Sequence, residues 1–203
     1  MNFNSDDVMN TIKECLDKID YIHAEDIPNI ELYMDQITTF MDDQLKSTKR
    51  YGDDKILTKT MINNYVKNNL LPPPIKKKYS KDHVLILIFI YYFKNILTIK
   101  DIESILSPII NDSFNSTNSE ELDTLYKKIC KLEKSQMDPF IDELKTHYKN
   151  VEELFPDKKQ DDEYTKLFAF ICSLSFDVYM KKLLIERLVD SFYSDDKNND
   201  DKK

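Results

Sequence analysis

The sequence predicts an all-α protein with room for at most a minimal β wing, built as an N-terminal domain followed by a C-terminal helical module. Three observations carry that expectation. Apolar residues recur at intervals of three and four through most of the 203 residues, the spacing that gives a helix one buried face. From Val84 to Phe93 ten apolar residues follow one another without a break, as in a helix enclosed on all sides. Between helical stretches stands "LLPPPIKKKY", where three prolines forbid a helix and leave space for one short extended arm.

Taken in order, Val8, Ile12, Cys15, Leu16, Ile19 and Ile22 follow a cap at Ser5 or Asp6 and define an N-terminal helix within residues 1–25. In "IPNIELYMDQITTFMDDQL" Pro28 suits the first turn of a second helix, with Ile30, Tyr33, Met34, Ile37, Phe40 and Met41 on one face. "KSTKRYGDD" interrupts the pattern with a turn at the only glycine, Gly52. Thr58 then caps a short helix carrying Met61, Ile62, Tyr65 and Val66 inward, with Leu70 and Leu71 at its end. It must stop ahead of Pro72, because the residue before a proline is pushed out of the helical region. "IKKKY" makes a short strand or ribbon tip, and Ser80 caps the apolar helix from about Lys81 to Leu97, the central column of its domain. "TIKDIESIL" is a further capped helix, with Ile99, Ile102, Ile105 and Leu106 inward.

"SPIINDSFNSTNSEE" accumulates Pro, Ser, Asn and Thr while periodicity lapses, which places a linker at 111–118. Within 119–193, Leu122, Leu125, Ile129 and Leu132 recur at heptad-like spacing, and Asp138-Pro139 predicts an interruption or kink. A second periodic stretch runs to Phe155. The last helix, about Asp162 to Tyr193, carries Leu167, Phe168, Ile171, Leu174, Val178, Leu184, Ile185, Leu188 and Phe192. A pocket between these helices would be lined by Phe168, Phe170 and Tyr179, although apolar spacing alone does not separate a pocket from a packed core. Residues 194–203, "SDDKNNDDKK", read as a disordered tail.

Composition excludes more than it assigns. One glycine stands where ordinary usage gives roughly fourteen, and phosphate-cradling loops, dinucleotide fingerprints and nucleophile elbows all require glycine. Cys15, Cys130 and Cys172 are odd in number and never paired as CxxC, which suits buried thiols in a reducing cytoplasm. The N-terminus lacks the basic and apolar regions of a signal peptide, and ten apolar residues are half of a membrane span, so a cytoplasmic location without a membrane partner is expected. His23, His83 and His147 share no metal-ligand spacing; His83, in the first turn of its helix, reads as a cap or a surface group. Acid pairs such as Asp42-Asp43 and Asp53-Asp54 fall at element ends, where they favour helix starts or solvation. No convergent titratable set is visible, so neither catalysis nor a cofactor is expected.

Charge is segregated. From Lys55 to Lys81 there are seven lysines and no acid, so a chain of formal charge -8 carries -15 elsewhere. The plainer reading is a solvated lysine-rich face. The other is a positive patch that attracts phosphates while the acidic bulk repels them. The short helix favours the latter, since its outward residues are Lys59, Thr60, Asn63, Asn64 and Lys67. Amides can read base edges, and lysines and hydroxyls can hold phosphates. Arg50 and Arg187 are the only arginines and neither lies on that helix, so a guanidinium fork for guanine is absent there.

"LTKTMINNYVKNNLLPPPIKKKYSKDHVLILIFIYYFKNILTIKDIESIL" resembles the winged helix-turn-helix of the MerR family, in which the recognition helix ends in a Leu-Leu pair before proline and a basic wing follows. The resemblance implies that Thr58 caps the recognition helix and that Thr60 and Asn63 occupy positions usually held by arginines. It also implies that Tyr65 touches the DNA backbone, that Tyr79 is the wing tyrosine, and that "TIKDIESIL" closes the domain. Both recognition-helix arginines are missing, the wing is shorter and without glycine, and the first inter-helix connection is longer. More closely, the span from "IPNIELYMDQITTFM" to "FIYYFKNIL" resembles a bacterial domain-of-unknown-function family, numbered eighteen thirty-six, whose members are regarded as MerR-like regulators.

The expectation is therefore a DNA-binding domain over 26–110 and a dimerising or signal-accepting module over 119–193. Double-stranded DNA would meet Thr58, Lys59, Thr60, Asn63, Asn64, Tyr65, Lys67, Lys76, Lys77, Lys78, Tyr79 and Lys81. A homodimer is expected because one short helix and one wing make few base contacts, and paired half-sites multiply them. The alternative is a helical protein-interaction module whose lysine patch docks an acidic partner or nothing at all. Any small-molecule effector stays open.

Overall fold

A computed structural model of the chain describes residues 5–16, 22–115, 120–156 and 162–193. Ile19, the end of the expected linker and the expected tail lie outside those residues. The described fold is helical, as expected, with a single two-stranded sheet. In chain order its elements are α1 (Ser5–Leu16), β1 (Leu32–Tyr33), α2 (Met34–Gln44), α3 (Lys59–Lys67), β2 (Lys78–Tyr79), α4 (Lys81–Phe93), α5 (Ile99–Asn115), α6 (Glu120–Leu154) and α7 (Asp162–Tyr193), with a 3-10 turn at Lys46–Thr48. They form two compact units, one of Asp20–Cys130 with Glu186–Lys203, the other of Met1–Ile19 with Lys131–Ile185. No helix among the described residues is long and apolar enough to cross a membrane.

In the unit of Asp20–Cys130, α4 is the column that its sequence predicts. Every residue from His83 to Tyr91 is buried. Ile37 and Met41 of α2, Ile62 of α3, and Leu45, Leu70 and Leu71 are also fully enclosed, and burying such a side chain contributes about 1.5–3 kcal/mol each. Two long-range hydrogen bonds join loop to core. The Tyr126 hydroxyl donates to the Ile22 carbonyl, and the Lys94 ammonium donates to the Ile56 carbonyl at 2.8 Å while lying over the Tyr91 ring. Burial pushes the Lys94 pKa down.

Four helix boundaries differ from expectation. α4 ends at Phe93, four residues before its expected end at about Leu97. The second helix begins at Met34, six residues after Pro28. Leu32 pairs with Tyr79 in the sheet, and the Gln36 side chain accepts the Tyr33 backbone N–H at 2.8 Å, so the chain is extended up to Tyr33 and Ile30 is 66% exposed. α5 runs on through Pro108 to Asn115, so residues 111–115, assigned to the linker, are helical. α6 passes through Pro139 without the interruption that was one of the two outcomes expected there. A proline removes one donor, but propagation from a long helix on either side is cooperative and outweighs that single loss.

In the other unit, Val8 of α1, Tyr148 and Val151 of α6 and Phe170 of α7 form a small core, with Ile12, Ala169 and Leu174 against it. Tyr148 and Phe170 meet edge to face at 5.2 Å. A groove of about 790 Å³ there is lined by Phe168 as expected, but with Leu154, Phe155 and Phe176 rather than Phe170 or Tyr179. Phe170 is core, because it lies on the opposite side of α7 from the groove-lining Phe168 by helical spacing. The thiols also depart from expectation: Cys15 and Cys172 are exposed and Cys130 is half-buried.

Candidate nucleic-acid interface

Helix α3 is set at both ends by side chains that the sequence supplies. Thr58 is the N-cap, its hydroxyl oxygen accepting the Met61 N–H at 3.2 Å. At the other end Asn69 adopts φ 58°, the Leu70 N–H donates to the Tyr65 carbonyl at 2.9 Å and the Asn69 N–H to Val66 at 3.2 Å. This is a Schellman termination with asparagine in place of the usual glycine, so the helix ends at Lys67, five residues before the first proline. Ile62 and Tyr65 are turned inward, and Lys59, Thr60, Asn63, Asn64 and Lys67 are all exposed. At 3.6 residues per turn these five lie within about 140° of arc.

The arm after the prolines closes as a two-residue hairpin. Ile75 and Lys78 exchange backbone hydrogen bonds of 3.1 and 2.9 Å, and the two residues at the tip, Lys76 and Lys77, have φ of 50° and 64°. That is the backbone of a type I′ turn, which favours Asn-Gly. β2 then pairs antiparallel with β1, Leu32 opposite Tyr79 and Tyr33 opposite Lys78. Lys78 reaches Glu31 at 3.4 Å and lies 5.8 Å above the Tyr33 ring. Lys59 pairs with Asp35 in the first turn of α2. The segment Glu31–Asp35 thus touches both the hairpin and the start of α3.

The predicted cations are not equivalent. Lys67, Lys76 and Lys77 are exposed, and no ion pair engages them among the described residues. Lys59 and Lys78 are exposed or half-exposed and already paired. Lys81 is half-buried and held 2.7 Å from Asp123, which Lys127 also pairs at 2.8 Å. Burial raises the Asp123 pKa, but the hydrogen bonds and charges of Lys127 and Lys81 outweigh it and leave it below the usual range. Beside it, burial raises the Asp82 carboxyl. Lys81 therefore ties the start of α4 to α6 instead of facing outward.

The two tyrosines differ from their expected placement as well. Tyr65 is 6% exposed and Tyr79 is 2% exposed, and burial raises both phenol pKa values. Their rings support the face from beneath. Tyr79 meets the His83 ring edge-on at 5.4 Å, and His83 meets Phe114 at 4.7 Å. His83 is a cap, one of its two expected roles: its Nδ1 accepts the Ser80 backbone N–H at 3.0 Å, with the Ser80 hydroxyl 2.8 Å away. The proton must then sit on Nε2, which is buried and completes no hydrogen bond among the described residues. Burial lowers the imidazole pKa to about 4, against the opposite pull of the Pro73 and Pro72 carbonyls.

A sequence-family model described as a domain of unknown function (DUF1836) matches residues 22–129, just over half of the chain. The chain belongs to the DUF1836 family. No curated protein and no solved structure matches it. The DUF1836 match coincides within two residues at each end with the unbroken part of its structural unit, Asp20–Cys130, so α3, the hairpin and their supports all lie in the DUF1836 domain. The residues missed in sequence, Glu31, Tyr33 and Asp35, gave only a faint signal: a Gln36 placed to cap Tyr33, which argues against a helix through 30–33.

Proposed function

We propose that the DUF1836 domain binds double-stranded DNA and that the protein is a transcriptional regulator of the cytoplasm, acting as a homodimer. Helix α3 would enter the major groove and the hairpin at 75–78 would serve as a MerR-like basic wing. The observation that carries the reading is the pair Lys76–Lys77. A side chain in the left-handed region costs roughly 1–2 kcal/mol, and this turn could hold Asn-Gly at far less. Two adjacent cations retained there at a cost in stability point to a use for their charge at an exposed tip. Lys78, partly exposed, stands next to them in the hairpin, and α3 adds the exposed Lys67.

The test is the salt dependence of binding to a mixed-sequence duplex. With three to five lysines on phosphates, log K should fall with log salt at a slope of roughly -3 to -5 per protomer. Lys76→Ser with Lys77→Ser should flatten that slope by about 2. An unchanged slope removes the wing from the mechanism, and no duplex binding at low salt removes the reading. A second reading, an interaction module for other proteins, draws support from α7, where Tyr164, Phe168, Ile171, Phe176, Val178 and Tyr179 are more than half exposed. An acidic protein that displaced DNA mole for mole would favour it.

A further inference from the structure

Resting on the DNA-binding reading, we infer that the face of α3 selects A·T base pairs in the major groove, through Asn63 on adenine and Thr60 on thymine. The polar side chains around α3 divide into two groups. Thr58 caps the helix, and the Asn68 amide donates to the Asn64 carbonyl at 2.7 Å. Thr60, Asn63 and Asn64, by contrast, are exposed and make no side-chain hydrogen bond among the described residues; Thr60 and Asn63, three residues apart, are neighbours on the helix surface. Both lie in the first two turns of the helix, the part of a groove-inserted helix that meets base edges.

Their chemistry is selective. A carboxamide presents one donor and one acceptor side by side, matching the N7 acceptor and N6 amino group of adenine. Guanine shows two acceptors in the same place and calls for a donor-only fork. Among the described residues no arginine lies on this face; Arg50 stacks on Tyr51 outside the helix. Lys59 is engaged by Asp35, and Lys67 is the last residue of α3, placed for a phosphate. The Thr60 methyl offers apolar contact to the thymine 5-methyl. Asparagine is also a poor helix former, so Asn63–Asn64 in mid-helix is a local cost to α3.

The experiment measures affinity of the full chain for alternating A·T and alternating G·C duplexes of equal length at one salt concentration. Two further A·T duplexes carry 7-deazaadenine or deoxyuridine, which delete the adenine N7 and the thymine methyl. The A·T duplex should bind about five- to hundredfold more tightly, and each modified duplex should lose part of that margin. Thr60→Ala with Asn63→Ala, changes that favour helix, should bring A·T affinity down to the G·C level with the salt slope unchanged. Equal affinity for both duplexes with an intact slope overturns the A·T inference and leaves the DNA reading standing. A preference that survives the double substitution or both base modifications overturns it too, because the shape of the duplex is then being read. Binding to no duplex overturns the DNA reading itself.

Discussion

Lys76 and Lys77 set a conflict between stability and charge that a single variant can resolve. Replacing them by Asn and Gly supplies the residues that a type I′ turn prefers, so the unfolding free energy should rise by about 1–3 kcal/mol. Urea melts check that, and duplex affinity should fall in the same protein. Gain of stability without loss of affinity would leave the strained lysines unexplained. His83 offers a second residue-scale test. Its folded pKa of about 4 lies below the ordinary 6.5, so between those values the unfolded chain binds a proton that the folded one refuses. Stability from this group is full above pH 6.5 and declines as pH falls toward 4, by about 3 kcal/mol in total. His83→Gln keeps a capping acceptor for the Ser80 N–H and does not titrate, so melts from pH 7 to 4 should be correspondingly flatter. At this scale Thr58, Ser80 and the outward set of α3 were legible in the sequence, because a cap and a helical face are local properties. The left-handed lysines, the burial of Tyr65 and Tyr79 and the pairing of Lys81 were not, because they depend on strand pairing and on Asp123, more than forty residues along the chain.

Among the elements, α3 and α4 follow their sequence patterns closely, whereas α2 and α5 show where pattern alone misleads. Ile30 and Tyr33 continue the apolar spacing of α2, yet β1 takes the chain there because Tyr79 offers it a partner. Polar residues after Pro108 suggest a linker, but the helix carries on through Ser113, which is buried. The α7 helix raises the opposite issue. Phe170 and Leu174 are packed, while Tyr164, Phe168, Ile171, Ser175 and Val178 recur at intervals of four and three and are all exposed. That stripe is where the proposed homodimer should form, the same face of each copy meeting its counterpart. Sedimentation should show a dimer that Ile171→Glu converts to monomer with helicity retained, and a short bis-maleimide should join the exposed Cys172 of two copies. A monomeric wild-type chain would refute the arrangement.

For the whole molecule the governing property is uneven charge. A chain with a formal charge of -8 and a basic, acid-free segment at Lys55–Lys81 is attracted to a polyanion only when that segment faces it. The salt slope should therefore appear mainly in the association rate constant, which is the step that long-range fields accelerate. The two main-chain hydrogen bonds between Ile75 and Lys78 close the tip before any ligand arrives, so the backbone beneath the two ammonium groups has no freedom left to surrender on contact. What remains to be ordered is side-chain rotation alone, about 0.5–1.5 kcal/mol for each lysine. A loop of the same charge without that closure would have to freeze at the moment of encounter.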